Sequence, residues 1–260
     1  MSAPGSSPSP RPCWLLLRGL ARECRHWGEV PARLAARLDA EVRCLDLPGN
    51  GRYHRQQSAV SVSCMLEQIR QRARPHPRVH LLGLSMGGMI AAQWAMRYPR
   101  EVAGLVLINS SSALSPPWQR LRPTALPALL RALLLPPAQR EALVYRLTCA
   151  RREERHATLQ DWTRYAGDCP VWRSNLLRQL AAAARYRLPA GALPVAPLIL
   201  CSRHDRLVDY RCSLALARHW HTRAHVHYWA GHDLPHDDPD WLLSELADYV
   251  NKQEKSAFRR

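Results

Sequence analysis

Six short apolar runs, alternating with helical patterns, constrain this chain more than any other feature of it. The runs span residues 13–17, 42–47, 79–84, 102–108, 197–201 and 224–229. Between them, Val30, Leu34 and Leu38 recur every four residues, with Pro31 suited to a first helical turn. Residues 60–74, 86–97 and 211–220 also read as helices, and a last one starts at Asp238–Pro239 with Trp241, Leu242, Leu246, Tyr249 and Val250 on its apolar side. Strand–helix alternation predicts an α/β fold, a mainly parallel, doubly wound sheet covered on both faces.

Residues 113–190 break the pattern. They lack strand signals, carry several prolines and Ala/Leu-rich helical stretches, and hold 13 Arg against five acids. This segment is expected to be a helical cap insertion over one end of the sheet. The organisation is then a disordered Ser/Pro/Gly-rich tail at 1–12, a core at 13–112, the cap at 113–190 and the rest of the core at 191–260. The apolar run at Cys13–Leu17 is too short for a signal core and is interrupted by Arg18, so it reads as a strand.

With 260 residues, 47% of them apolar, the chain can bury a sizeable core. No apolar run is long enough for an integral membrane span. Eight cysteines without a C-x-x-C pair argue against a disulfide scaffold or a zinc ribbon, and fit reduced thiols in a cytoplasmic protein. The net charge of +16 should attract polyanions or acidic partners, and half of it lies in residues 113–190. No nucleic-acid-binding signature accompanies that charge.

The segment Val79–Met89, V-H-L-L-G-L-S-M-G-G-M, contains G-x-S-x-G as Gly83, Ser85 and Gly87, between a strand and a helix. A turn that sharp forces Ser85 into a strained backbone conformation, and a Cβ at either flanking glycine would clash. The helix that follows points its N-terminus at the site, where negative charge would develop. A serine nucleophile needs a base and an orienting acid, in the chain order Ser, Asp/Glu, His for such a fold. L-I-L-C-S-R-H-D puts Asp205 just beyond one strand, and Y-W-A-G-H-D puts His232 beyond the last. Both lie at the strand ends where a parallel sheet binds its ligand. Asp209 is the rival acid.

With L-L-L-R-G-L at 15–20, Trp27, and D-L-P-G-N-G at 46–51, these marks make the chain resemble the α/β-hydrolase fold serine hydrolases. Within them it most resembles pimeloyl-acyl-carrier-protein methyl ester esterase-type carboxylesterases. The resemblance implies Ser85 as nucleophile, His232 as general base then acid, Asp205 as its orienting partner, and an oxyanion hole made by the Leu20 and Met86 backbone N–H groups. It implies an acyl-enzyme route to ester cleavage with no cofactor or metal, and as substrate a small or carrier-linked acyl ester. An acidic carrier protein could then dock on the basic cap. Two departures stand out. Arg18 replaces the family's usual His before the oxyanion glycine, either as a structural substitute or as a cation for an acidic substrate. Only about a dozen residues precede the first parallel strand, so the family's N-terminal hairpin is expected to be missing.

Competing readings remain open at this level. The same three residues could serve C–C bond hydrolysis, lactone opening or a lyase step, or the fold could survive as a non-catalytic binding protein. Trp118, in the insertion, either packs in a core or lines an acyl pocket as a substrate-binding residue. The histidines between 204 and 236 could suggest a metal, but H-D-L-P-H at 232–236 is not the H-E-x-x-H of a zinc-protease helix, and structural histidines are the expectation.

Overall fold

The computed structural model describes residues 11–73 and 78–257. Most of the expected tail (residues 1–10) and the end of the expected helix at 74 fall outside them. Among the described residues one sheet forms, from β1 (Cys13–Leu17), β2 (Glu41–Leu45), β3 (Val79–Leu84), β4 (Val102–Ile108), β5 (Leu198–Ser202) and β6 (Ala224–His227). All pairings are parallel and the order is β2-β1-β3-β4-β5-β6, with β2 at one edge and no antiparallel hairpin beside it among the described residues. The order reverses beside β1, which opens a crevice at the C-terminal ends of β1 and β3.

Alternating side chains build two cores. Leu15, Leu17, Leu81, Leu105, Leu107 and Ile199 face α2 (Val62–Arg70), α3 (Met86–Arg97) and α9 (Arg211–His219). Their chain neighbours Trp14, Leu16, Leu82, Leu84, Val106 and Leu200 face α1 (Val30–Leu38) and α11 (Pro239–Ala257). Apolar residues on both faces explain why these strands read as continuous runs. Pro31 sits in the first turn of α1, which ends at Asp39 in the left-handed region (φ 43°). Ser61 caps α2 by accepting from Cys64 N–H (3.2 Å). That helix stops at Arg70, four residues short of the expected end.

Between β4 and β5 the chain forms no strand. It makes α4 (Pro117–Arg120), α5 (Leu126–Ala132), α6 (Pro137–Thr148), α7 (Arg155–Asp168) and α8 (Arg173–Arg185). Ala113 N–H donates to Tyr186 O (3.1 Å), so this insertion leaves and rejoins the core at one place. A short helix, α10 (Leu234–Asp237), follows the last strand and has no counterpart in the sequence reading, because four residues carry no period. Among the described residues no helix is long and apolar enough to cross a membrane. All eight cysteines are free thiols.

Candidate active site

Ser85 occupies the junction of β3 and α3 at φ 56° and ψ −118°, a conformation that L-residues rarely adopt. Two bonds hold it there: its N–H donates to Ile108 O (2.8 Å) and its carbonyl accepts from Ser110 Oγ (2.8 Å). The turn also needs bare backbone. A Cβ on Gly83 would overlap the Gly87 carbonyl, and one on Gly87 would overlap the Leu17 carbonyl. The start of α3 therefore lies against the end of β1, bringing Met86 and the Gly19–Leu20 loop to one place. Met86 is the first residue of its helix, so its N–H has no carbonyl four residues back to bond.

His232 and Asp205 are brought together as the sequence suggested. His232 Nδ1 lies 2.6 Å from Asp205 Oδ2, and both residues are buried. Asp205 Oδ1 accepts from the N–H groups of Leu207 (2.7 Å) and Val208 (2.9 Å), which fixes the carboxylate. Burial pulls the imidazole pKa down, but the charge and hydrogen bond of Asp205, with Asp233 nearby, more than offset it and leave it above the ordinary value. The rival acid, Asp209, instead pairs with Arg122 (3.3 Å) and accepts from Arg211 N–H (3.0 Å).

Asn109 joins these loops, and the sequence offered no sign of it beyond its place after a strand. It takes a positive φ (46°), donates from Nδ2 to His232 O (2.9 Å) and accepts on Oδ1 from Ser202 N–H (2.8 Å). Since Ile108, its neighbour, receives the Ser85 amide, the end of β4 ties the serine turn to the histidine loop. Asp237 ties that loop to the insertion. Its carboxylate accepts from the N–H groups of Gly231 (2.7 Å), Ala150 and Arg151 (both 2.9 Å), while Asp233 N–H donates to Thr148 O (2.8 Å).

Arg18 is not a free cation for an acidic substrate. It is 2% exposed and its guanidinium bonds both oxygens of Asp233, at 3.0 and 2.5 Å. That fork links the loop after β1 to the residue beside His232. Burial works against the Asp233 charge, but Arg18 holds its pKa below the usual carboxylate value. Trp118 does not line a closed pocket; it is 64% exposed on α4. Arg22, two residues beyond Leu20, pairs with Glu141 of α6 (2.5 Å) and lies over the Trp162 ring of α7 (4.3 Å).

Two of the other histidines in this region have structural partners: His225 Nδ1 meets Glu245 (2.5 Å) and His227 Nε2 meets Asp238 (3.1 Å). Cys149, His236 and Asp237 bring potential ligand atoms within 4.8 Å of one another. The Asp237 oxygens are already taken up by three backbone N–H groups, which makes this a poor metal site.

Comparisons with known proteins bear on the fold and the family. The pimeloyl-[acyl-carrier protein] methyl ester esterase of Sodalis glossinidius is 36% identical over 121 residues, 46% of this chain and 45% of that protein, so the match spans under half of the relative's length. The solved structure of a 2-hydroxy-6-oxo-6-phenylhexa-2,4-dienoate hydrolase from Rhodococcus sp. strain RHA1 superposes with a TM-score of 0.75 at 21% identity, covering 93% of this chain and 91% of that one. An enol-lactonase from Burkholderia xenovorans LB400 gives 0.74 at 15% identity, covering 95% and 94%. These two likenesses speak to the fold. The Hydrolase_4 family, described as serine aminopeptidase, S33, matches residues 8–239. With that match running across most of its length, the chain belongs to the Hydrolase_4 family and has the α/β-hydrolase fold.

Proposed function

We propose that this protein is a serine esterase working through an acyl-enzyme. The observation that carries the reading is Ser85 at a strained, positive-φ strand–helix turn, with a buried His232–Asp205 pair in the loops that follow the C-terminal ends of strands of the same parallel sheet. Ser85 Oγ attacks the ester carbonyl as His232 Nε2 takes its proton, with the Nδ1 side held by Asp205. The Met86 and Leu20 N–H groups receive the oxyanion, and His232 returns the proton to the departing alcohol. Water activated by His232 then releases the acid and frees Ser85. No metal or cofactor enters these steps. A fluorophosphonate probe tests the core of the reading. Labelling that disappears in Ser85→Ala supports it, and absence of labelling on folded wild-type protein rejects it.

The favoured substrate class is a carrier-linked acyl ester, as in the name of the Sodalis relative, with residues 113–190 as a basic cap. Arg152 and Arg155 are exposed there, and Arg151 is half-buried against Glu153 and Glu154. Reversing the three charges should weaken turnover of a carrier-linked methyl ester severalfold and spare small nitrophenyl esters. Equal loss on both substrates would reject docking through this surface.

A further inference from the structure

Resting on the placement of Leu20 N–H in the oxyanion hole, we infer that Gln179 is a positioning residue for that donor. From α8 it holds the turn Gly19–Arg22 in the shape that aims the N–H. The turn closes through Arg22 N–H to Gly19 O (3.3 Å), with Leu20 and Ala21 at its centre. Ala21 takes φ 54°, a conformation that a residue with a Cβ leaves unless something restrains it.

Gln179 is that restraint. It is fully buried, and its Oε1 accepts from Ala21 N–H (2.9 Å). Its Nε2 donates to Asn50 Oδ1 (2.7 Å) and Ser58 Oγ (3.0 Å). Each acceptor has its own donor engaged elsewhere: Asn50 Nδ2 on Arg22 O (2.8 Å) and Ser58 Oγ–H on Pro48 O (2.7 Å). The amide of Gln179 therefore has one orientation, because flipping it would set N–H against N–H at Ala21. Through Asn50 the same network also grips the far side of the turn at Arg22. Asn175, one turn earlier on α8, is equally buried but serves another segment. It accepts from Ser58 N–H (2.9 Å) and donates to Gln56 O (2.9 Å). It is an internal control: the same seam, without the bond to the oxyanion turn.

The test is steady-state hydrolysis of p-nitrophenyl butyrate by the full chain, at a temperature where circular dichroism shows each variant folded. Gln179→Met should lower kcat about ten- to a hundredfold, somewhat less than outright loss of an oxyanion donor, with KM within about threefold. Phosphonylation of Ser85 should slow by a similar factor, since it also builds charge on that oxygen. Asn175→Ala should lose thermal stability but keep kcat within about threefold. Gln179→Glu should restore near-normal kcat, because burial keeps the carboxyl neutral with its acceptor still facing Ala21. Normal kcat in Gln179→Met, or an equal kcat loss in Asn175→Ala, overturns the inference. If Gln179→Met does not fold, Gln179→Glu decides, and a tenfold kcat loss in that folded variant counts against the inference. Hydrolysis surviving in Ser85→Ala would remove the nucleophile reading itself; an inactive Ser85→Ala beside a full-rate Gln179→Met removes only the role of Gln179.

Discussion

Ser85 is held by missing atoms and two hydrogen bonds to its backbone, His232 by buried charge and side-chain hydrogen bonds. At the serine turn, two glycines let a helix start press against the carbonyl that ends β1, and backbone sterics leave little freedom. At the histidine loop, Asn109, Asp205, Asp237 and the Arg18–Asp233 pair make up the restraint. The first kind of support is local, and no second substitution can easily replace it. The second is distributed, and it can be exchanged for packing if both partners change together.

The largest expected effect breaks the second kind. Arg18→Met leaves Asp233 as an unpaired buried charge and should cost about 3–5 kcal/mol of stability. The double change Arg18→Met with Asp233→Leu should recover most of that, as read by denaturant titration. Failure to recover would mean that the pair has a role beyond its own charge. Gly87→Ala should cost about 1–3 kcal/mol, with a large loss of turnover, and conservative changes at neighbouring side chains should not rescue it, because the clash is with the backbone.

A smaller effect appears in pH dependence. His232 has a raised pKa, so it becomes a cation, and stops acting as a base, at a higher pH than an ordinary histidine as pH falls. The acid limb of kcat/KM should lie above the ordinary histidine value and move down in Asp205→Asn, which removes the charge that raises it. An unmoved limb would uncouple the two residues. The smallest effect is at Trp118, whose exposure predicts that Trp118→Ala changes stability by less than about 0.5 kcal/mol and nitrophenyl ester turnover by less than about twofold.

The same contrast explains what could be read in the sequence. β3, α3 and β4 fall where their patterns put them, because periodicity and the G-L-S-M-G-G turn are local signals. Ser85, His232 and Asp205 were legible as strand-end residues in the right chain order. For Arg18 the sequence leaves a structural role and a substrate-facing cation both open, because its partner lies 215 positions away and nothing near Arg18 announces Asp233. Asn109 and Gln179 escaped for a related reason: polar partners across the chain have no period. The insertion was recognised as helical from composition, but which of its residues face the core depends on packing that composition does not encode.

β4 and β5 are bonded neighbours in the sheet, yet the chain runs from Ile108 to Leu198 before it returns. At equilibrium such an excursion is cheap, since each doubling of a loop's length adds only about 0.6 kcal/mol of closure entropy. In time it is expensive, because pairing over so long a separation must wait for a slow search. Evolution could therefore lengthen, shorten or reshape the insertion with little thermodynamic penalty, while the folding rate would register each change.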